Sequence, residues 1–302
     1  INSFDKTIIT PVLIRYGLNN HENEENIKQL FAIEKILNNG DEIFIDITHG
    51  FRSMPIVLVG VLNFIIDHLK KNIKIAKISY GMFEVSHEMD GNTPIVDLDI
   101  LLELQENTKA SHEFTEYGNA YMYSELLKAI DPSMSRILLD FSTAKSLNHL
   151  KKIKGLISQL NGLKFVKLSE IQKLTIPRIV ENFLIRFKSA KDDSQYQFEI
   201  AKWMFDNKQY GYSYIILTES IISKTVENLI KNNHSKIEKM QKNKEKRDFA
   251  KSRIKNNISS TYDKVNRRRI SVAHAKESGK SLKESVQELN QALKDVKGFI
   301  YR

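Results

Sequence analysis

The stretch that most constrains this chain runs from Glu42 to Leu69. Glu42-Ile43-Phe44-Ile45 has the composition of a buried β-strand, and Pro55 to Leu69 that of an apolar helix. Between them lies Asp46-Ile47-Thr48-His49-Gly50-Phe51-Arg52-Ser53. A strand that breaks at Thr-His-Gly and restarts as a helix is half of a β-α-β unit, and it leaves backbone N–H groups pointing outward, ready for an anion. Asp46, Thr48, His49, Arg52 and Ser53 bring hydrogen-bonding side chains to that mouth, Arg52 with a guanidinium fork. Two readings follow. The group forms a ligand site at a strand end, or Thr48 and Ser53 merely cap the helix while His49 bonds the turn from the core.

The neighbouring pattern extends the unit. Thr7 to Ile14 is mostly apolar and reads as a buried strand, with Pro11 marking a bulge or an edge. A turn, Tyr16-Gly17-Leu18-Asn19-Asn20, follows. Glu22 to Leu37 carries Ile27, Leu30, Phe31, Ile33, Ile36 and Leu37 at helical spacing and stops at Asn38-Asn39-Gly40. After the helix to Leu69, Ile73 to Met82 reads as the next strand. Strands alternating with helices at this interval predict a parallel sheet. Ligands on such sheets sit beyond the carboxyl ends of the strands, which gathers Gly17, Asn19, Thr48, His49, Arg52, Tyr80 and Gly81 on one rim. Gly50 and Ser53 join them through the same turn. Neither G-x-G-x-x-G nor a Walker P-loop occurs. The rim suits adenine stacking and phosphate contacts.

Beyond Leu98 the pattern changes. Asp99 to Ala129 is helical, and the longest strand candidate from there on is Lys164 to Leu168. The second half is therefore a separate helical body. A turn at Asp131-Pro132-Ser133 precedes Phe141 to Leu160, one helix or two short ones, read as a connector. Thr175-Ile176-Pro177 opens another helix, with Ile179, Phe183 and Phe187 at fourth positions. Trp203, Met204 and Phe205 fall in the next, followed by Gln209 to Tyr212 and the apolar Tyr214 to Leu229; these aromatics read as core.

With 302 residues there is length for two cores. The net charge of +9 suits a nucleic-acid partner or plain solubility. Lys231 to Lys255 holds ten Lys or Arg, including Lys242, Lys244, Lys246, Arg247, Lys251 and Arg253. Such a run is a solvated helix face or a track for an RNA backbone. The chain has no cysteine, which excludes disulfides and thiolate metal sites and fits a cytoplasmic location. The longest apolar run, Ile56 to Ile66, is broken by Gly60 and Asn63 and is too short to span a membrane. Neither a metal site nor a cofactor is expected.

The Asp46–Ser53 motif with Met54-Pro55, the strand ending Ser79-Tyr80-Gly81-Met82-Phe83 and the segment Thr93-Pro94-Ile95-Val96-Asp97-Leu98 resemble the sensor of CRISPR-associated Csx/Csm-type proteins of type III systems. The resemblance covers roughly the first 125 residues, through Glu116-Tyr117-Gly118-Asn119-Ala120. It implies a CARF domain, a Rossmann-like fold whose dimer binds cyclic oligoadenylate, with a further strand and Gly-rich turn ahead of Ile1.

A second motif, Arg269-Ile270-Ser271-Val272-Ala273-His274, resembles the R-x-x-x-x-H signature of HEPN ribonucleases. Asn often follows that Arg in such proteins, and Ile270 stands here. Arg267 and Arg268 also fall within the spacing the family allows. At about 100° per residue, Arg269 and His274 point roughly 140° apart on a helix, whereas Arg267, Ser271 and His274 share a face.

The two resemblances together imply an α/β plus all-α chain: residues 1–110 a Rossmann-like sensor with a parallel sheet, 111–168 a helical connector, and 169–302 a helical ribonuclease domain. They imply a homodimer or higher homo-oligomer that cleaves single-stranded RNA without a metal, leaving 2′,3′-cyclic phosphates, with Arg269 and His274 catalytic and Arg267 the alternative arginine. Cyclic oligoadenylate would activate it in antiviral defence. A sensor without catalysis, and a ring nuclease that degrades the activator, remain the competing readings.

Overall fold

The structure is a computed structural model that describes residues 10–49, 53–69, 72–254, 256–276 and 279–302. The chain divides into two compact units, Ile1–Gln105 and Glu106–Arg302.

The first unit opens on α1 (Asn20–Phe31), capped by Asn19, whose Oδ1 accepts the Glu22 N–H at 2.9 Å. Glu22 returns its carboxylate to the N–H groups of Gly17 and Leu18, at 3.0 and 2.9 Å. Asn26, fully buried, pairs with both backbone groups of Arg15: its Oδ1 accepts the N–H at 2.6 Å and its Nδ2 donates to the carbonyl at 3.0 Å. An amide side chain there does what a neighbouring strand would do. Thr10–Ile14, expected as strand, is accordingly irregular: Pro11 offers no N–H to a ladder and Leu13 is 90 % exposed. Thr7–Ile9 lie outside the described residues.

After a short 3-10 turn at Ala32–Lys35 come β1 (Glu42–Asp46), α2 (Met54–Leu69) and β2 (Lys74–Gly81), a parallel β-α-β unit that pairs Glu42 with Lys74 and Asp46 with Ser79, the register shifting by one residue between Ile43 and Phe44. β3 (Ile95–Asp97) then pairs with β2 antiparallel, Ser79 opposite Asp97, in the order β1-β2-β3. The expected parallel sheet is therefore mixed. The link from β2 to β3 is a 3-10 turn at Phe83–Met89 and a left-handed pair, Asp90 and Gly91, that sends the chain straight back; it holds no helix to carry a crossover. β1 is buried on one face only. Ile45 packs with Leu62 and Ile78, while Phe44 is 69 % exposed.

The second unit is helical: α3 (Asp99–Tyr117), which enters from the first, then α4 (Tyr121–Leu127), α5 (Pro132–Ser146), α6 (Leu150–Asn161), α7 (Glu170–Leu184), α8 (Asp193–Asp206), α9 (Tyr210–Lys231), the single turn α10 (Ser235–Glu238), α11 (Asn243–Lys251), α12 (Asn256–Ala273) and α13 (Leu282–Ile300). Asp99–Ala129 is two helices, because Gly118 takes φ +66° and stops α3 against the Trp203 ring. Likewise α5 and α6 split the stretch Phe141–Leu160. Lys164–Leu168 forms no strand. α7 starts five residues before Thr175, because Ser169 and Gln172 make a reciprocal capping box, and Pro177 lies inside it.

One buried cluster runs through this unit from Ala110 to Ile300. Its centre is aromatic: the Phe183 ring lies 4.8 Å from Trp203, 5.3 Å from Phe141 and 5.4 Å from Phe114. Each such ring contributes about 1.5–3 kcal/mol by burial. Met204 joins them, while Phe205 is half-buried. The stretch 111–168 supplies Phe114, Leu127, Phe141 and Ile153 to this same core, so it is built into the helical body rather than linking it to the first unit. α9 packs against α8, α11, α12 and α13. Buried serines allow its close approach to α8: Ser213 Oγ donates to Ala201 O at 2.7 Å and Ser220 Oγ to Ser194 O at 2.8 Å. Among the described residues no helix is long and apolar enough to cross a membrane.

Candidate functional site

The residues singled out in the sequence fall into two groups, one in each unit. In the first, Thr48 leaves the end of β1 and locks it to β2. Its hydroxyl accepts the Gly81 N–H at 2.7 Å and donates to Asp46 Oδ1 at 2.5 Å, while the Thr48 N–H reaches the same oxygen at 2.8 Å. These two bonds from Thr48, with the nearby His49, hold the Asp46 carboxyl below the usual carboxylate range. Thr48 thus pins two strand ends together instead of capping α2. A Cβ at Gly81 would meet Thr48 Cγ2 at 3.0 Å, so a larger residue there has to displace the Thr48 side chain by a few tenths of an ångström.

His49 is exposed, its ring 5.7 Å from that of Phe83, so the rim offers an aromatic pair. Tyr80 donates its hydroxyl to Glu84 at 2.6 Å. Thr48, His49, Tyr80 and Gly81 therefore meet at the carboxyl ends of β1 and β2. Gly17 and Asn19 serve the start of α1, where Glu22 occupies the N–H groups of Gly17 and Leu18. Ser53 is exposed and its carbonyl accepts the Val57 N–H at 3.2 Å, opening α2. Gly50 and Arg52 lie outside the described residues.

In the second unit α12 delivers the three arginines to three different surroundings. Arg267 is exposed, its Nε donating to Asp263 O at 3.3 Å. Arg268 is buried and donates to Glu288 of α13 at 3.1 Å; Lys280 binds the other Glu288 oxygen. Burial works to raise the Glu288 pKa, but the bonds from Lys280 and Arg268 prevail and hold it below the ordinary value. Arg269 donates to Asn266 Oδ1 at 2.9 Å, and its charge works against the burial that raises the Tyr262 pKa.

His274 is exposed at the very end of the helix. Its position is set by the backbone: Ala275 takes φ +50°, Lys276 N–H donates to Ser271 O at 2.9 Å and Ala275 N–H to Val272 O at 3.3 Å, a Schellman stop with alanine where glycine is usual. A cavity of roughly 420 Å³ beside this end is lined by Lys264, Arg267, Arg268, Ser271 and Lys280, and a larger one of roughly 690 Å³ by Tyr210, Tyr214, Arg268, Ser271, Lys276 and Lys280. The helix geometry thus groups Arg267 with Ser271, whose hydroxyl donates to the Arg267 carbonyl at 3.2 Å, while Arg269 is bonded to Asn266. Among the described residues no set of three His, Asp or Glu is placed to hold a metal ion.

Residues 103–194 match the family described as CRISPR-associated protein MJ1674, second domain. CRISPR-associated protein MJ1674 of Methanocaldococcus jannaschii is 36% identical to this chain over 217 residues, 71% of this chain and 34% of that protein. This chain is similar to a CRISPR-associated protein. It spans about a third of that relative's length.

The matched stretch contains a group that the sequence reading passed over. Lys145, 5 % exposed, donates to Tyr117 O at 2.7 Å and to Asn119 Oδ1 at 2.6 Å, and its Nζ sits 5.8 Å from the centre of the Trp203 ring. Burial pushes its pKa down to about 8 against the pull of Glu113. The ammonium clamps the turn between α3 and α4. Only the Gly118-Asn119 pair hinted at a special turn there; nothing marked Lys145, whose partner lies 28 residues away.

Proposed function

We propose that this chain is a sensor and effector of CRISPR defence: a cyclic oligoadenylate-activated, metal-independent endoribonuclease that cuts single-stranded RNA. The observation that carries the reading is the last turn of α12, where Arg267 and Ser271 line a cationic cavity with Lys264 and the exposed His274 follows three residues after Ser271. The RNA 2′-hydroxyl attacks the adjacent phosphorus and the bond to the 5′-oxygen breaks. His274 accepts the 2′ proton or protonates the leaving oxygen, and an arginine neutralises charge on the phosphorane-like transition state. One histidine per chain does one of these proton transfers at a time; a two-fold dimer supplies the second. Arg267, on the histidine's own helix face, is the arginine favoured within a chain, and Arg269 requires a partner's His274. The resemblance of the His49–Phe83 rim to cyclic oligoadenylate sensors supports the activator assignment. The ring must bind one arrangement of the dimer better than the other in order to switch it.

The test is cleavage of a fluorogenic single-stranded RNA in chelator, with and without cyclic tetra- and hexa-adenylate. Cleavage should depend on one ring and fall roughly 10²–10⁴-fold in His274→Ala. Full activity in that variant would sink the assignment. A non-catalytic sensor is favoured by one observation, that Arg268 and Arg269 are both committed to protein partners; ring binding without turnover would select it.

A further inference from the structure

The two cavities at the α12 end share a wall. The larger, of roughly 690 Å³, and the smaller, of roughly 420 Å³, are both lined by Arg268, Ser271 and Lys280. They differ in the rest of their lining. The larger is walled by Tyr210 and Tyr214 of α9, Val272 of α12, and Leu282 and Val286 of α13, whereas the smaller adds Lys264 and Arg267 to the shared cations. An aromatic and aliphatic chamber therefore adjoins a cationic one.

The charges of the shared wall are set from α13. Glu288 accepts the Arg268 Nε at 3.1 Å on one oxygen and the Lys280 ammonium on the other, so one carboxylate orders two cations and one positive charge is left over. Among the described residues it is the only acid in either lining. A cleft lined by one sign of charge draws the opposite sign, here an anion. The apolar chamber is equally well fixed. Tyr214 is 4 % exposed and donates its hydroxyl to Ser285 O at 2.6 Å, which holds its ring in the wall; Tyr210 is half-buried, with the Phe205 ring 5.4 Å away. A chamber of this volume, with mostly apolar walls and a few charged groups, has the make-up of a small-ligand site. The molecule that matches is apolar and aromatic at one end and anionic at the other, with both ends inside one residue of length. A nucleotide has that form, and aromatic walls grip a base by its face whatever its sequence.

We propose that the larger cavity seats one nucleobase of single-stranded RNA, next to a phosphate drawn to the wall of Arg268 and Lys280. The proposal rests on the reading of RNA as the substrate and deepens it: the nucleotide beside the α12 cavity is held by its base as well as by its backbone.

The test is equilibrium binding of two labelled ten-residue probes, oligo(C) and the same ribose-phosphate chain without bases, to the chain carrying His274→Ala. Cytidine keeps the probe distinct from the adenylate ring assigned to the first unit. Tyr210→Ala removes part of the aromatic wall, and Val286→Trp fills the chamber from α13. Each should weaken oligo(C) about 5- to 150-fold, the worth of one base on an aromatic wall, while the affinity of the baseless chain and the slope of log K against log salt stay as they were. Unchanged oligo(C) binding, or an equal loss for both probes in both variants, would overturn the base seat. Cleavage by the same variants with His274 restored separates this proposal from the reading it rests on. Parent-like KM values in both would overturn the seat and leave the nuclease standing, whereas a chain that neither binds oligo(C) nor cleaves RNA would overturn both.

Discussion

Gly118→Ala tests the packing of the helical unit at its tightest point. The substitution adds one Cβ, which would lie 2.5 and 2.6 Å from Trp203 Cζ2 and Cη2. The indole has nowhere to go: it is 3 % exposed and wedged among Phe183, Phe141 and Phe114, with the Lys145 ammonium over it. Forcing a side chain into a filled core costs about 1–3 kcal/mol. The left-handed backbone, φ +66°, adds about 1–2 kcal/mol for any residue with a Cβ. Gly279 separates the two terms, because it has the same φ of +66° and nothing within 4 Å of a Cβ. Gly279→Ala should therefore cost only the backbone part. Urea unfolding followed by the fluorescence of Trp203, the chain's single tryptophan, reads both variants. Gly118→Ala should be the worse by about 1–3 kcal/mol, a melting difference of roughly 3–10 °C for a unit of this size. Equal losses would refute the claim that Trp203 fixes the turn.

Three further outcomes follow from charges and caps. Lys145 has its pKa depressed to about 8 by burial, so the unfolded chain binds more protons between there and the ordinary lysine value; the stability of the helical unit should rise with pH across that window, by about 1.5 kcal/mol from pH 8 to 9.5, and Lys145→Met should abolish the rise in pH-dependent urea melts. Glu288 is held below its ordinary value, so its contribution is present at neutral pH and lost as pH falls through the folded pKa; Glu288→Gln should lower stability at pH 7 by about 3 kcal/mol, as breaking a buried pair does, and shrink the acid-side loss. Ala275→Gly relieves the left-handed stop after His274 and should stabilise α12 by about 0.5–1 kcal/mol in thermal melts.

The β-α-β unit was legible because periodicity is a local signal: the apolar run of α2 and the break at Thr48-His49 stand in the sequence itself. The antiparallel β3 was not, since its direction depends on a tight return at Asp90-Gly91 rather than on its own three residues. The same holds for the sites. The spacing of His274 from an arginine stands in the sequence, but the surroundings of Arg268 do not, because they are decided by Glu288 twenty residues on. Thr48 was found for its hydroxyl, and only the structure tells that the hydroxyl is spent on Gly81. Pro177 misled the helix start because a proline at a helix opening is the commoner case; the capping box at Ser169 was present in the sequence and outweighs it.

The single core of the helical unit also has a consequence for how the protein is made. Ala110, Phe114 and Phe141 share that core with Leu289, Val296 and Ile300, and Tyr301 bonds back to Glu199 at 2.5 Å. Translation therefore exposes the apolar faces of the early helices long before their last partners exist, roughly 10–40 s at about 5–20 residues per second. Until Ile300 has left the ribosome the body cannot close. Its nascent form is thus a natural client for chaperones, and a ribosome stalled between α9 and α13 would display an unfinished, adhesive bundle.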